Sequence, residues 1–398
     1  MDYTFFAFLS IILLSTRIFG FATRKINLPA VVGALIAGIL LGPSLLNWVK
    51  LDGSAGSFIH MAAEAGVVIL MFRAGLDTDM KELKAHLPAS VAVALGGILV
   101  PLLGGFLCHI LFFGGNFANS QAFLSAVFTG VVLTAASVSV TVETLREMGK
   151  LNSRVGSIIL GAAVLDDILG VIVLSVITGI TNTSVDTVSV LLNMLWFALA
   201  IALLWGIVAL INEYKPKSIP NTGTAIYALT FCFLLAFSSE NVYGVADVTG
   251  AFLAGLILST TDCVEYVDKR CGNLSDLFFS PIFFASIGLQ VSFQGMHTFE
   301  WFFTLALFAV AVIAKLIGCG AGAKLLKSSW RDSIQIGIGM ICRGEIAIIM
   351  AQKGVKAGLM DTSLFTPVVI VVIATTLITP ILLKLGMKEK HQVQRMAL

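Results

Sequence analysis

The sequence predicts an all-α polytopic membrane protein of about thirteen transmembrane helices, two of them discontinuous, arranged as two inverted repeats. Three observations carry this. The chain of 398 residues is 58% hydrophobic and 12% charged, with a mean hydropathy of +0.97, which leaves no water-soluble reading. Thirteen apolar stretches are each long enough to span a bilayer. Lys and Arg gather in alternate loops, as that count requires.

The first repeat is read over 1–182, with stretches at 4–20, 28–46, 57–75, 87–113, 120–142 and 154–180. Met1-Asp2 opens without a basic region and no small-residue cleavage site follows, so the first stretch is expected to be a retained helix and not a signal peptide. The fifth contains Gly130-Val-Val-Leu-Thr-Ala-Ala-Ser-Val-Ser-Val-Thr-Val142, in which small and hydroxyl residues crowd the centre of an apolar span. A linker helix follows within 183–218. The second repeat, 219–390, holds stretches at 221–239, 243–260, 274–293, 299–323, 333–352 and 362–383, with other divisions open near 231 and 250. Residues 391–398 form a short cytoplasmic tail. The interrupted stretches are fifth and twelfth, equivalent places in the two halves, and with the seventh between them the halves have opposite orientation.

Nineteen of the 25 Lys and Arg residues fall in one set of loops and the tail, which places the N-terminus outside and the C-terminus in the cytoplasm. No basic stripe suggests nucleic acid. The six cysteines have no metal-ligand spacing and the five histidines form no cluster, so no cofactor is expected and the chain is not read as an enzyme.

Asp166 and Asp167 stand in Gly161-Ala-Ala-Val-Leu-Asp-Asp-Ile-Leu-Gly170, roughly 18 Å of helix from Arg154 and close to the midplane. Each carboxylate costs about 2.5 to 3.5 kcal/mol there, so a retained pair is a functional hypothesis. Neighbouring helical positions differ by about 100°, so the two face different partners; the plainer alternative is a pair of structural salt bridges. Lys315, about 13 Å inward from Lys324, is the natural partner and a candidate proton carrier. The twelfth stretch, Gly337-Ile-Gly-Met-Ile-Cys-Arg-Gly-Glu-Ile346, places Arg343, Gly344 and Glu345 inside an apolar span. Unwound backbone at this depth is tolerated only inside protein or along a cavity, and paired interruptions point to a transporter site. Simple packing through small-residue faces is the alternative.

Several motifs occur in order along the whole chain: Gly38-Ile-Leu-Leu-Gly-Pro-Ser-Leu-Leu46, Met71-Phe-Arg-Ala-Gly-Leu-Asp77, Leu165-Asp-Asp-Ile-Leu-Gly170, Gly250-Ala-Phe-Leu-Ala-Gly-Leu256, Phe283-Phe-Ala-Ser-Ile-Gly-Leu289 and Met340-Ile-Cys-Arg-Gly-Glu345. With these the chain resembles the bacterial sodium/proton antiporters of the cation:proton antiporter superfamily, in the branch with paired aspartates. The resemblance implies that Asp167 is the principal ligand of a transported Na+ and that Asp166 pairs with Lys315. It also implies that two discontinuous helices cross beside them, at Thr134, Ala135, Ala136, Ser137 and Ser139 and at the region before Arg343. The family usually has a hydroxyl residue where this chain has Ala136. A homodimer is implied too, in which one domain moves against a dimerisation domain in an elevator mechanism.

The expected activity is exchange of Na+ or Li+ for H+ across the bacterial inner membrane, by competition for one buried carboxylate. If cation entry also releases a proton from Lys315, two protons exchange for one Na+ and net charge moves. The alternatives are K+/H+ exchange, a passive cation channel and an intramembrane aspartyl protease. The last needs two acids converging from separate helices, whereas adjacent ones diverge.

Overall fold

The computed structural model describes residues 3–26, 28–51, 53–114, 120–181, 187–214, 220–290, 296–356 and 358–387; the tail 391–398 lies outside them. Every expected apolar stretch contains helix, as the absence of water in a bilayer requires of a backbone that must satisfy its own polar groups. The first half of the chain holds α1 (Thr4–Lys25), α2 (Ala30–Leu41), α3 (Gly53–Leu76), α4 (Met80–Phe113), α5 (Ser120–Thr134), α6 (Val138–Glu147) and α7 (Arg154–Thr181). Next comes α8 (Thr187–Tyr214). The second half holds α9 (Thr222–Ser238), α10 (Asp247–Leu258), α11 (Val264–Leu274), α12 (Ser280–Leu289), α13 (Thr298–Leu325), α14 (Trp330–Gly339), α15 (Glu345–Lys356) and α16 (Phe365–Gly386). A π-helical turn at Ser275–Phe279 joins α11 to α12 as one pass. Among the described residues, nine helical spans, with α5–α6 and α11–α12 taken as single passes, are long and apolar enough to cross a membrane.

The uncertain division near 231 and 250 is resolved by local geometry. A π-helical turn, Ser239–Tyr243, ends α9, and Gly244 then takes the left-handed conformation at φ 67° that stops a helix cheaply only at glycine. One expectation needs correction. The second and ninth stretches were each expected to span as helix, yet α2 and α10 have 12 residues apiece, about 18 Å of helix against roughly 30 Å of hydrocarbon. Apolar composition continues past Gly42 and before Asp247, but Gly42-Pro43 and the Gly244 turn end the helical hydrogen bonding.

Packing divides the helices into two bundles that each draw on both halves of the sequence. α1, α2, α3, α9, α10 and α11–α12 form one, with α2 against α12 and α3 against α10. α4, α5–α6, α7, α13, α14–α15 and α16 form the other, centred on the α4–α13 pair. Small residues let these backbones touch, as lipid-embedded helices require where no hydrophobic force drives association. A Cβ added at Gly255 of α10 falls 2.0 Å from the Phe72 carbonyl oxygen of α3, and one at Gly318 of α13 falls 2.2 Å from that of Gly96 in α4. The bundles meet chiefly where α2 and α3 abut α6 and α16. α8 lies at the edge, touching α7, the Ser239–Tyr243 turn and α10, with its apolar side chains largely exposed.

Candidate functional site

α7 holds the paired aspartates, and its helical twist sends them to different bundles. Asp166 and Lys315 are both buried, and the Lys315 ammonium donates to both carboxylate oxygens at 3.1 and 3.2 Å. The Ala136 backbone also hydrogen-bonds Asp166. Space for this pair is left by Gly97 of α4, where a Cβ would sit 3.4 Å from the Lys315 nitrogen and 2.7 Å from the Cys319 sulfur. The buried charges thus have the partners that make them tolerable.

Asp167, also buried, faces the opposite way. The Thr249 hydroxyl of α10 donates to its Oδ2 at 3.3 Å. The carboxylate lines a small recess together with Met71 of α3, Val248 of α10, and Ala136, Ser137, Val138 and Ser139 at the first break. Gly344 and Ile346 close it from the second break. The recess therefore lies where the two bundles meet.

The two breaks complete each other. Residues 135–137 separate α5 from α6, and 340–344 separate α14 from α15. The Ser137 N–H donates to the Cys342 carbonyl at 2.8 Å, and the Thr141 hydroxyl to the Gly339 carbonyl at 2.9 Å. The buried Arg343 guanidinium gathers the carbonyls of Leu133 at 2.8 Å, Ile341 at 3.0 Å and Ala311 at 3.2 Å. Leu133 lies in the last turn of α5 and Ile341 just past α14, so the cation sits at the partially negative ends of both half-helices. Backbone groups freed by unwinding are in this way paired again.

Of the residues expected at the site, Asp166, Asp167, Lys315, Ala135, Ala136, Ser137, Ser139 and Arg343 gather around the breaks. Ser137 and Ser139 approach each other at 3.3 Å between hydroxyls. Thr134 is buried there too, but its hydroxyl donates to Val131 of its own helix at 2.7 Å. Glu345 opens α15, and its side chain lies outside the described residues. Sequence reasoning missed Thr249, Gly97 and Met71. Thr249 adjoins the motif beginning at Gly250, and that adjacency was its only signal. Among the described residues no three His, Cys, Asp or Glu side chains gather as a metal site.

A second charged cluster bridges the bundles away from this recess. Arg146 of α6 meets Asp77, just past α3, at 2.7 Å and Asp268 of α11 at 3.3 Å. Arg73 of α3 also reaches Asp268, at 3.1 Å. Burial pushes the Asp77 carboxyl above its ordinary value, opposed in part by the Arg146 charge.

Comparison with known proteins fits this geometry. A family model described as sodium/hydrogen exchanger, transmembrane, matches residues 9–387. The chain is 40% identical over 395 residues to the Na(+)/H(+)-K(+) antiporter GerN of Bacillus cereus, covering 98% of each chain. It is 37% identical to the Na(+)/H(+) antiporter of Enterococcus hirae, covering 97% of this chain and 99% of that one. In fold it is similar to the sodium proton antiporter MjNhaP1 from Methanocaldococcus jannaschii, with a TM-score of 0.69 at 15% identity, covering 96% and 97% of the two chains.

Proposed function

Because the chain belongs to the sodium/hydrogen exchanger family of membrane transporters, we propose that it exchanges cytoplasmic Na+ or Li+ for external H+ at Asp167 by alternating access. The observation that carries this reading is the split within the aspartate pair: Asp166 is neutralised by Lys315, while Asp167 turns into a largely apolar recess between the bundles that Ser137 and Ser139 also line. A negative charge buried there is costly, and either a cation or a proton relieves it. The two therefore compete, and falling pH displaces the cation. Movement of one bundle against the other then carries the loaded site between the two faces.

A cation entering beside Asp166 weakens its attraction to Lys315, which can then release a second proton. Two protons for one Na+ move net charge, and about 2.3 kcal/mol per charge per 100 mV becomes available to drive export. The chain acts in the bacterial inner membrane as a homodimer, N-terminus outside and C-terminus in the cytoplasm, without a cofactor. The Lys and Arg distribution supports the orientation and the family resemblance supports the dimer. Division into repeats at 1–182 and 219–390 about a 183–218 linker is supported by equivalent packing: α2 lies on α12 as α10 lies on α3, and α4 on α5 as α13 on α14.

Reconstitution in liposomes with a trapped pH dye tests the proposal. An imposed proton gradient should collapse on adding Na+ or Li+, and not in Asp167→Asn. A response to K+ alone favours K+/H+ exchange, a reading kept because the name of the Bacillus cereus relative includes K+ and because hydroxyl and carbonyl oxygens suit either ion. No response to any cation over a broad pH range overturns the antiporter reading.

A further inference from the structure

Among the described residues twelve threonines are buried, and eleven of them donate their hydroxyl proton to a backbone carbonyl. Thr249 instead donates to the carboxylate of Asp167, on another helix and in the other bundle. Its position explains this. Thr249 lies in the first turn of α10, which begins at Asp247, and the Ala246 carbonyl three residues before it already accepts the N–H groups of Thr249 and Gly250. The late start of α10 thus sets the Thr249 hydroxyl against Asp167, beside the Val248 that lines the recess.

From this we infer that Thr249 is a cation ligand and specificity-determining residue, supplied to Asp167 from the opposite bundle. The inference rests on the antiporter reading of the site. A threonine hydroxyl carries one proton and two lone pairs. With the carboxylate empty, it donates to Asp167; with a cation on the carboxylate, it rotates and offers oxygen to the ion. The first break supplies Ser137 and Ser139, but Ala136 adds only a methyl and backbone to the lining, so Thr249 is the hydroxyl held against Asp167 from outside that break. Because Thr249 and Asp167 belong to different bundles, the oxygen is available only while α10 holds Thr249 within reach of Asp167. Cation affinity therefore differs between the states in which these bundles are and are not in that register.

The test compares Thr249→Val, which keeps shape and removes the hydroxyl, with Thr249→Ser, which keeps the hydroxyl. KM and maximal rate for Na+, Li+ and K+ are read in the liposome dye assay, with Asp167→Asn as the control. The valine variant should raise KM for Na+ and Li+ by roughly three- to tenfold, more than it lowers the maximal rate, and should alter the ranking of the three ions. The serine variant should restore both. A merely structural threonine would give equal KM values in the valine and serine variants, and that result overturns the inference while leaving the antiporter reading intact. If the unaltered protein shows no cation-driven proton movement, the antiporter reading itself falls. Should the valine variant fail to accumulate, Thr249→Ala replaces it in the comparison, and alanine equal to serine overturns the inference.

Discussion

The backbone N–H of Ser137 donates to the carbonyl of Cys342 at 2.8 Å, so the break in one helix satisfies the break in the other across more than two hundred residues of sequence. Arg343 ties the same crossing from the other side, taking carbonyls from the end of α5, the end of α14 and the middle of α13. Unwound backbone at membrane depth thereby becomes a fixed frame for the carboxylates.

That frame depends on a planar, multiply donating cation. Lysine offers a point charge on a flexible stem and cannot match three carbonyls in the guanidinium geometry. Arg343→Lys should lower stability in detergent by about 2 kcal/mol or more, and Arg343→Ala should scarcely accumulate. Fluorescence-detected size exclusion with a thermal ramp measures both, and an alanine variant as stable as the parent sinks the argument.

Removing one half of the Asp166–Lys315 pair leaves a buried charge alone. Lys315→Leu should lose roughly 3 to 5 kcal/mol of stability, whereas the double variant Asp166→Asn with Lys315→Gln should recover much of that loss. Thermal denaturation of purified protein reads the comparison. Equal losses in single and double variants would mean that pairing is not what holds these charges.

The glycines beside the pair separate two kinds of crowding. At Gly97 the nearest obstacle to a methyl is the Cys319 side chain, at 2.7 Å. At Gly318 it is the Gly96 backbone, at 2.2 Å. Gly97→Ala should therefore cost about 1 to 3 kcal/mol and be partly rescued by Cys319→Ala, while Gly318→Ala forces α4 and α13 apart and has no such rescue. Melting curves of the four variants decide it.

Burial raises the folded-state titration of Asp77 above its unfolded value, with Arg146 opposing. A raised acid favours the fold most below its unfolded value, near 3.9, and loses that contribution as pH rises through the higher folded value. The stability of the parent relative to Asp77→Asn should accordingly increase as pH is lowered through that window. A difference that stays flat with pH would remove Asp77 as the titrating group.

The Thr249 variants form the remaining test, because they probe a contact between the bundles instead of one within them.

How the site was legible depends on the range of each signal. The positions of both breaks followed from local composition, since Ala135-Ala136-Ser137 and Arg343-Gly344 interrupt apolar runs. The depth of Asp166, Asp167 and Lys315 followed from counting residues at 1.5 Å of rise, and their divergence from the 100° twist. The start of α10 was less legible, because Gly244 sits in a run whose apolar residues read equally well as helix or turn. Thr249 gave almost no warning, since a threonine in an apolar segment ordinarily bonds its own helix.

The sequence by itself determined that the chain lives in lipid, that it is built of apolar helices, and which charges lie deep within them. These are properties of short windows, governed by the cost of moving groups out of water and by helical periodicity. Only the tertiary structure decided that each bundle takes helices from both halves, that α2 and α10 stop short, and that Thr249 reaches Asp167 from across the interface. In lipid, apolar side chains do not discriminate between helical neighbours. Partner choice instead falls to close backbone contacts such as Gly75–Gly255 and Gly96–Gly318, which join residues far apart in the chain and leave no periodic mark upon it.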